Sequence, residues 1–166
     1  MKTARISTIF LAFATAAILL VAALPAHAQP KASEPVKTTL EARKVVLAAD
    51  GRESFAPADF ARPGDVIEYA ATYRNTTREA VRNLEATLPI PVHTEFVAGS
   101  ARPAAVRASL DAREFAAPPL KRTAVADGRE TIEIVPYREY RLLRWQPVHL
   151  GPEASMTFTA RVRVLE

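Results

Sequence analysis

Met156-Thr157-Phe158-Thr159-Ala160-Arg161-Val162-Arg163-Val164 decides the fold. Met156, Phe158, Ala160, Val162 and Val164 alternate with Thr157, Thr159, Arg161 and Arg163, the period of a strand with one buried and one wet face. The same alternation runs from Asp65 to Asn75, where Ile67, Tyr69, Ala71 and Tyr73 share a face opposite Glu68, Thr72 and Arg74. Shorter runs, Thr38 to Leu47, Leu84 to Leu88, Thr94 to Val97, Val106 to Leu110, Thr131 to Val135 and Tyr140 to Trp145, extend the pattern. In the first of these Leu40 and Ala42 are in phase while Val45 and Leu47 are not, so a bulge near Arg43 or Lys44, or a crossing between sheets, is expected.

The punctuation agrees with strands. All five glycines fall between patterned runs, in Asp50-Gly51, Pro63-Gly64-Asp65, Gly99-Ser100, Asp127-Gly128 and Gly151-Pro152. Asp127-Gly128, between Leu120 to Ala126 and Arg129 to Val135, has the chemistry of a tight hairpin turn because both positions tolerate positive φ. Pro63-Gly64 suits a type II turn that Asp65 caps, and Asn75 can end the following strand by bonding the next loop. Ala101 to Lys121 is less regular, with room for a short helix over Ala112 to Ala116. The fold expected is all-β, an antiparallel sandwich of about seven to nine strands.

The first 28 residues read differently. Lys2 and Arg5 precede an uncharged apolar run, Ile9 to Leu24, and Ala26-His27-Ala28 offers the small residues of a cleavage site. This is the pattern of a cleavable export signal, which places the mature chain in the periplasm or outside the cell, beginning at Gln29. The rival, a retained membrane anchor, is disfavoured by Pro25 and the cleavage box, so no membrane insertion is expected after cleavage. Residues 29–36 lack an apolar period and read as a flexible leader, leaving 37–166 as one domain.

Lys2 and Arg5 are the only charges in the signal, so the net charge of +4 falls to +2 on cleavage. Such a balanced surface offers no nucleic-acid footprint. The chain has no cysteine, which excludes disulfides, thiolate metal sites and a lipidated cysteine after the signal. The fold must stand on its apolar core.

Pro63-Gly64-Asp65-Val66-Ile67-Glu68-Tyr69, followed by Tyr73-Arg74-Asn75-Thr76-Thr77, resembles the opening of the bacterial conserved-repeat family, the domain of unknown function numbered eleven. Leu88-Pro89-Ile90-Pro91, Thr94-Glu95-Phe96-Val97-Ala98-Gly99-Ser100, Arg144-Trp145 and Leu150-Gly151-Pro152 are similar to its later turns and its close. The resemblance covers about Lys37 to Glu166. It implies an immunoglobulin-like sandwich of the kind found in surface, secreted and envelope proteins, with no catalytic residues to carry over. This chain departs from the family in having a single copy, and in lacking the aspartate that many members place two residues before Leu-Pro.

Catalytic patterns are missing from the sequence. His93 and His149 sit at no ligand spacing, no calcium loop is present, and no serine lies in a nucleophile elbow. No enzyme activity, metal or cofactor is therefore expected. The one concentration of potentially functional side chains is Tyr137 to Trp145, where Tyr137, Tyr140, Arg141 and Arg144 could contact a partner protein or an envelope glycan. Alternation puts Tyr140, Leu142 and Arg144 on one face and Arg141, Leu143 and Trp145 on the other, and Trp145 reads as core. The expected function is a non-catalytic structural or protein-interaction module of the cell envelope, with carbohydrate binding as the alternative. Coplanar surface aromatics would favour the glycan; buried rings beside an uncovered apolar edge would favour a protein partner.

Overall fold

The computed structural model describes residues 34–126 and 128–166. The export signal and most of the leader lie outside the described residues, as does Asp127 of the hairpin turn.

Ten strands occur among the described residues: β1 Val36–Leu47, β2 Glu53–Pro57, β3 Val66–Asn75, β4 Val81–Pro89, β5 Thr94–Phe96, β6 Arg107–Ser109, β7 Lys121–Ala126, β8 Arg129–Ile134, β9 Leu142–Leu150 and β10 Ser155–Val164. One 3-10 turn, Tyr137–Glu139, precedes β9. A five-stranded sheet runs β2-β1-β3-β10-β5, a three-stranded sheet β4-β9-β6, and among the described residues β7 and β8 pair only with each other. Every pairing is antiparallel. The all-β, antiparallel architecture agrees with the expected sandwich, and the two larger sheets contribute to one core; the ten strands exceed the seven to nine expected because β7 and β8 form a separate hairpin.

The core is what the alternation of β3 and β10 foretells. Ile67, Ala71 and Tyr73 from β3 and Phe158, Ala160 and Val162 from β10 face Ala86 and Leu88 of β4 and Leu143, Trp145, Val148 and Leu150 of β9. Phe158 sits between Trp145 and Tyr73, with ring centroids 5.1 and 5.8 Å away. Burying such a ring contributes about 1.5–3 kcal/mol. Trp145 is a core residue as read, its indole N–H donating to the Pro103 carbonyl at 2.7 Å.

β1 corrects one expectation. Its register against β3 is unbroken from Val36↔Asn75 to Val45↔Val66, so there is neither a bulge at Arg43 or Lys44 nor a crossing between sheets. Leu40 pairs with the core residue Ala71 yet is 52% exposed, because the narrower second sheet leaves this flank uncovered. Freed from burial, the strand had no need to keep its apolar phase. A second correction concerns Ala112 to Ala116, which form no helix. Asp111 Oδ1 instead accepts the Arg113 and Glu114 amides at 2.9 and 3.2 Å, and Ala112 has a φ of 65°.

Two turns do what their composition required. Gly64 has a φ of 88°, the Asp65 amide donates to the Arg62 carbonyl, and Asp65 Oδ2 accepts the Arg62 amide at 2.8 Å and Lys44 Nζ at 2.7 Å. At the far end of β3, Asn75 is fully buried. Its Oδ1 accepts the Thr77 amide at 3.0 Å and the Thr77 hydroxyl at 2.8 Å, while Nδ2 donates to the carbonyls of Glu79 and Gly151 at 2.6 and 2.8 Å. One side chain thereby joins the β3–β4 and β9–β10 connections. Thr76 in the same connection holds the start of β1, its amide donating to the Pro35 carbonyl at 2.9 Å. The opposite pole gathers the end of β4, β5 and the start of β9, with the Ile90 amide donating to the Arg141 carbonyl.

Candidate interaction surface

Pro136 stops the ladder of β8, and the 3-10 turn it begins carries Tyr137 and Tyr140 inward before β9 starts at Leu142. Tyr140 is fully buried. Its hydroxyl accepts the Leu120 amide at 2.6 Å and its ring stacks on Phe96 at 6.1 Å. Burial raises its pKa. Tyr140 was expected on a contact face shared with Leu142 and Arg144; it belongs instead to the core, with no ring face left for a ligand. The two-residue period read through it does not apply, since a 3-10 turn lies between it and the strand.

Tyr137 is half-buried and packs edge-on against Phe96 and Tyr140, at 5.9 and 5.2 Å. Arg141 is exposed, and its guanidinium donates to the carbonyls of Arg138 and Tyr140. Arg144, on β9, lies 3.8 Å over the Phe115 ring and pairs with Glu85 at 3.1 Å. The structure thus brings the two tyrosines into ring contact and occupies both arginines within the domain. His93 and His149 are exposed, and no cluster of potential metal ligands occurs among the described residues.

The β7–β8 hairpin forms where Asp127-Gly128 foretold it, and the feature that sequence reading did not single out is the exposure of its aliphatic side chains. Its ladder is regular from Lys121↔Ile134 to Ala126↔Arg129, the two-residue connection that Asp127-Gly128 implied, and Gly128 has a φ of 74°. Register places Lys121, Thr123, Val125, Glu130, Ile132 and Ile134 on one face. Val125, Ile132 and Ile134 are 73%, 76% and 62% exposed. The opposite face is ionic: Arg122 pairs with Glu133 and, at 2.6 Å, with Glu139, contacts that hold its guanidinium firmly charged.

The hairpin is anchored at its base, where the Val135 amide donates to the Leu120 carbonyl at 2.9 Å and Leu120 in turn meets Tyr140. The available signal was proline: Pro118-Pro119 and Pro136 bracket the hairpin, cutting both strands off from any longer ladder. Beside the base of β7 lies a cavity of about 250 Å³ lined by Leu110, Asp111, Glu114, Phe115, Ala116, Leu120 and Lys121.

No protein-family model, no curated protein and no solved structure matches this chain.

Proposed function

We propose that this chain is an exported, non-catalytic domain of the cell envelope, periplasmic or secreted, that acts as a structural or protein-interaction module. We read it as a single immunoglobulin-like copy akin to the bacterial conserved-repeat family. The observation that carries this reading is the hairpin, which holds Val125, Ile132 and Ile134 in solvent and, among the described residues, has no further strand paired to either edge. Exposed apolar strands of this kind are a liability unless another chain covers them.

The carbohydrate alternative needs flat, exposed rings. Tyr140 and Trp145 are buried and Tyr137 packs edge-on, so that reading has no stacking platform in the segment from which it arose. The test of the protein reading is photo-crosslinking in intact cells, with a photoreactive residue at position 132 of the full-length exported chain. One reproducible envelope protein partner is the expected product. A chain that stays monomeric and uncrosslinked at the hairpin overturns the reading.

A further inference from the structure

The two edges of the hairpin are not equivalent. The bond from the Val135 amide to the Leu120 carbonyl sets the phase of the ladder. Leu120, Arg122 and Ala124 turn their backbone groups toward β8, and Lys121, Thr123 and Val125 turn theirs outward. No turn, loop or side-chain hydrogen bond among the described residues claims those outward groups. This free edge of β7 runs into the cavity at its base, whereas no residue of β8 lines that cavity.

The cavity matches a side chain better than a free small molecule. At about 250 Å³ it falls below the roughly 300–1,000 Å³ of ordinary small-molecule sites. Its apolar lining is Leu110, Phe115, Ala116 and Leu120, and its charges are Asp111 and Glu114 against one Lys121. Asp111 uses Oδ1 for the local turn and for Ser109, while no hydrogen bond among the described residues engages its Oδ2 or the Glu114 carboxylate. The backbone bonds from Arg113 and Glu114 hold the Asp111 pKa below the ordinary carboxylate value, so it is ionised at neutral pH.

We propose that the occupant is an extended segment of a partner protein that adds as a strand to the outer edge of β7. It places an aliphatic side chain in the Leu110–Phe115–Leu120 cavity and a basic residue against Asp111 and Glu114. In strand addition the main-chain bonds supply affinity and the pockets for alternate side chains supply specificity. The aliphatic and basic residues stand two apart in the segment, since a strand puts such positions on one face. This deepens the protein-interaction reading and rests on it.

The probe is a fluorescein-labelled, end-blocked hexapeptide, Thr-Val-Thr-Ile-Thr-Arg, with a second in which Glu replaces Arg, titrated into the exported chain and followed by anisotropy. The Arg peptide is expected to bind better. Thr123→Pro removes an outward N–H and leaves the β7–β8 ladder intact, and it is expected to weaken binding about tenfold, the worth of one or two hydrogen bonds. Glu114→Lys is expected to reverse the preference between the two peptides.

Equal binding of both peptides, or binding untouched by Thr123→Pro, overturns the proposal. So does a photoreactive residue that captures a partner in cells from position 132 but never from 123, although the protein-interaction reading then survives. No capture from either position overturns both.

Discussion

The phenol of Tyr73 lies against both backbone groups of Thr87, accepting its N–H and donating to its C=O at 2.9 Å each. Tyr73 belongs to β3 in one sheet and Thr87 to β4 at the edge of the other, so a side chain stands in for the strand that β4 lacks on that side. Tyr73→Phe keeps the ring against Phe158 and leaves two backbone groups without a partner. The expected cost is about 1–3 kcal/mol, read from urea unfolding, with faster hydrogen exchange at the Thr87 amide.

Asn75 is more demanding, because all of its polar capacity is used and none of it reaches solvent. Asn75→Ala strands the Glu79 and Gly151 carbonyls and is expected to cost about 3 kcal/mol or more. Asn75→Asp keeps the shape but sets a carboxylate against those carbonyls. Its melting temperature should fall further below wild type at pH 7 than at pH 4, where protonation restores a donor; an equal deficit at both would refute this account.

Lys44, followed by the Arg62 amide, holds the Asp65 carboxyl below the usual 3.8 of an aspartate. A carboxyl depressed on folding contributes stability above its unfolded pKa and loses it as the pH falls through the folded one. Asp65→Asn should therefore lower the melting temperature at neutral pH, with the gap to wild type closing below pH 3.8. Thermal scans across that range check the sign.

Ile132 and Leu143 are both aliphatic strand residues, but only one is buried. Ile132→Thr and Ile134→Thr should each change unfolding free energy by less than about 0.5 kcal/mol. Leu143→Ala should cost about 2–5 kcal/mol. Ile134→Thr should still abolish the partner crosslinked from position 132, separating recognition from folding.

Strands whose one face is buried were legible. Phe158 and Val162, or Ile67 and Tyr73, alternate because the core selects every second side chain. Asp127-Gly128 and Pro63-Gly64-Asp65 were legible because turns restrict φ locally. Where the second sheet stops, the code stops: Leu40 has no burial to keep it in phase, and the short, exposed β2 around Phe55 carries no alternation to find. Tyr140 misled because a 3-10 turn before β9 reverses the direction that a strand period assigns it. The hairpin face escaped notice because Ile132 and Ile134 alternate as core residues do; composition cannot say whether such a face meets its own domain or another chain.

The joint that Thr76 makes with Pro35 fixes where the N-terminal end meets the body, beside Asn75. Leu120 and Val135, from which the hairpin springs, sit with Tyr140 near the other end, where β9 begins. A copy gripped beside Pro35 therefore keeps the base of its hairpin at the other pole, and a tag or surface attachment placed beside Pro35 stays clear of that base.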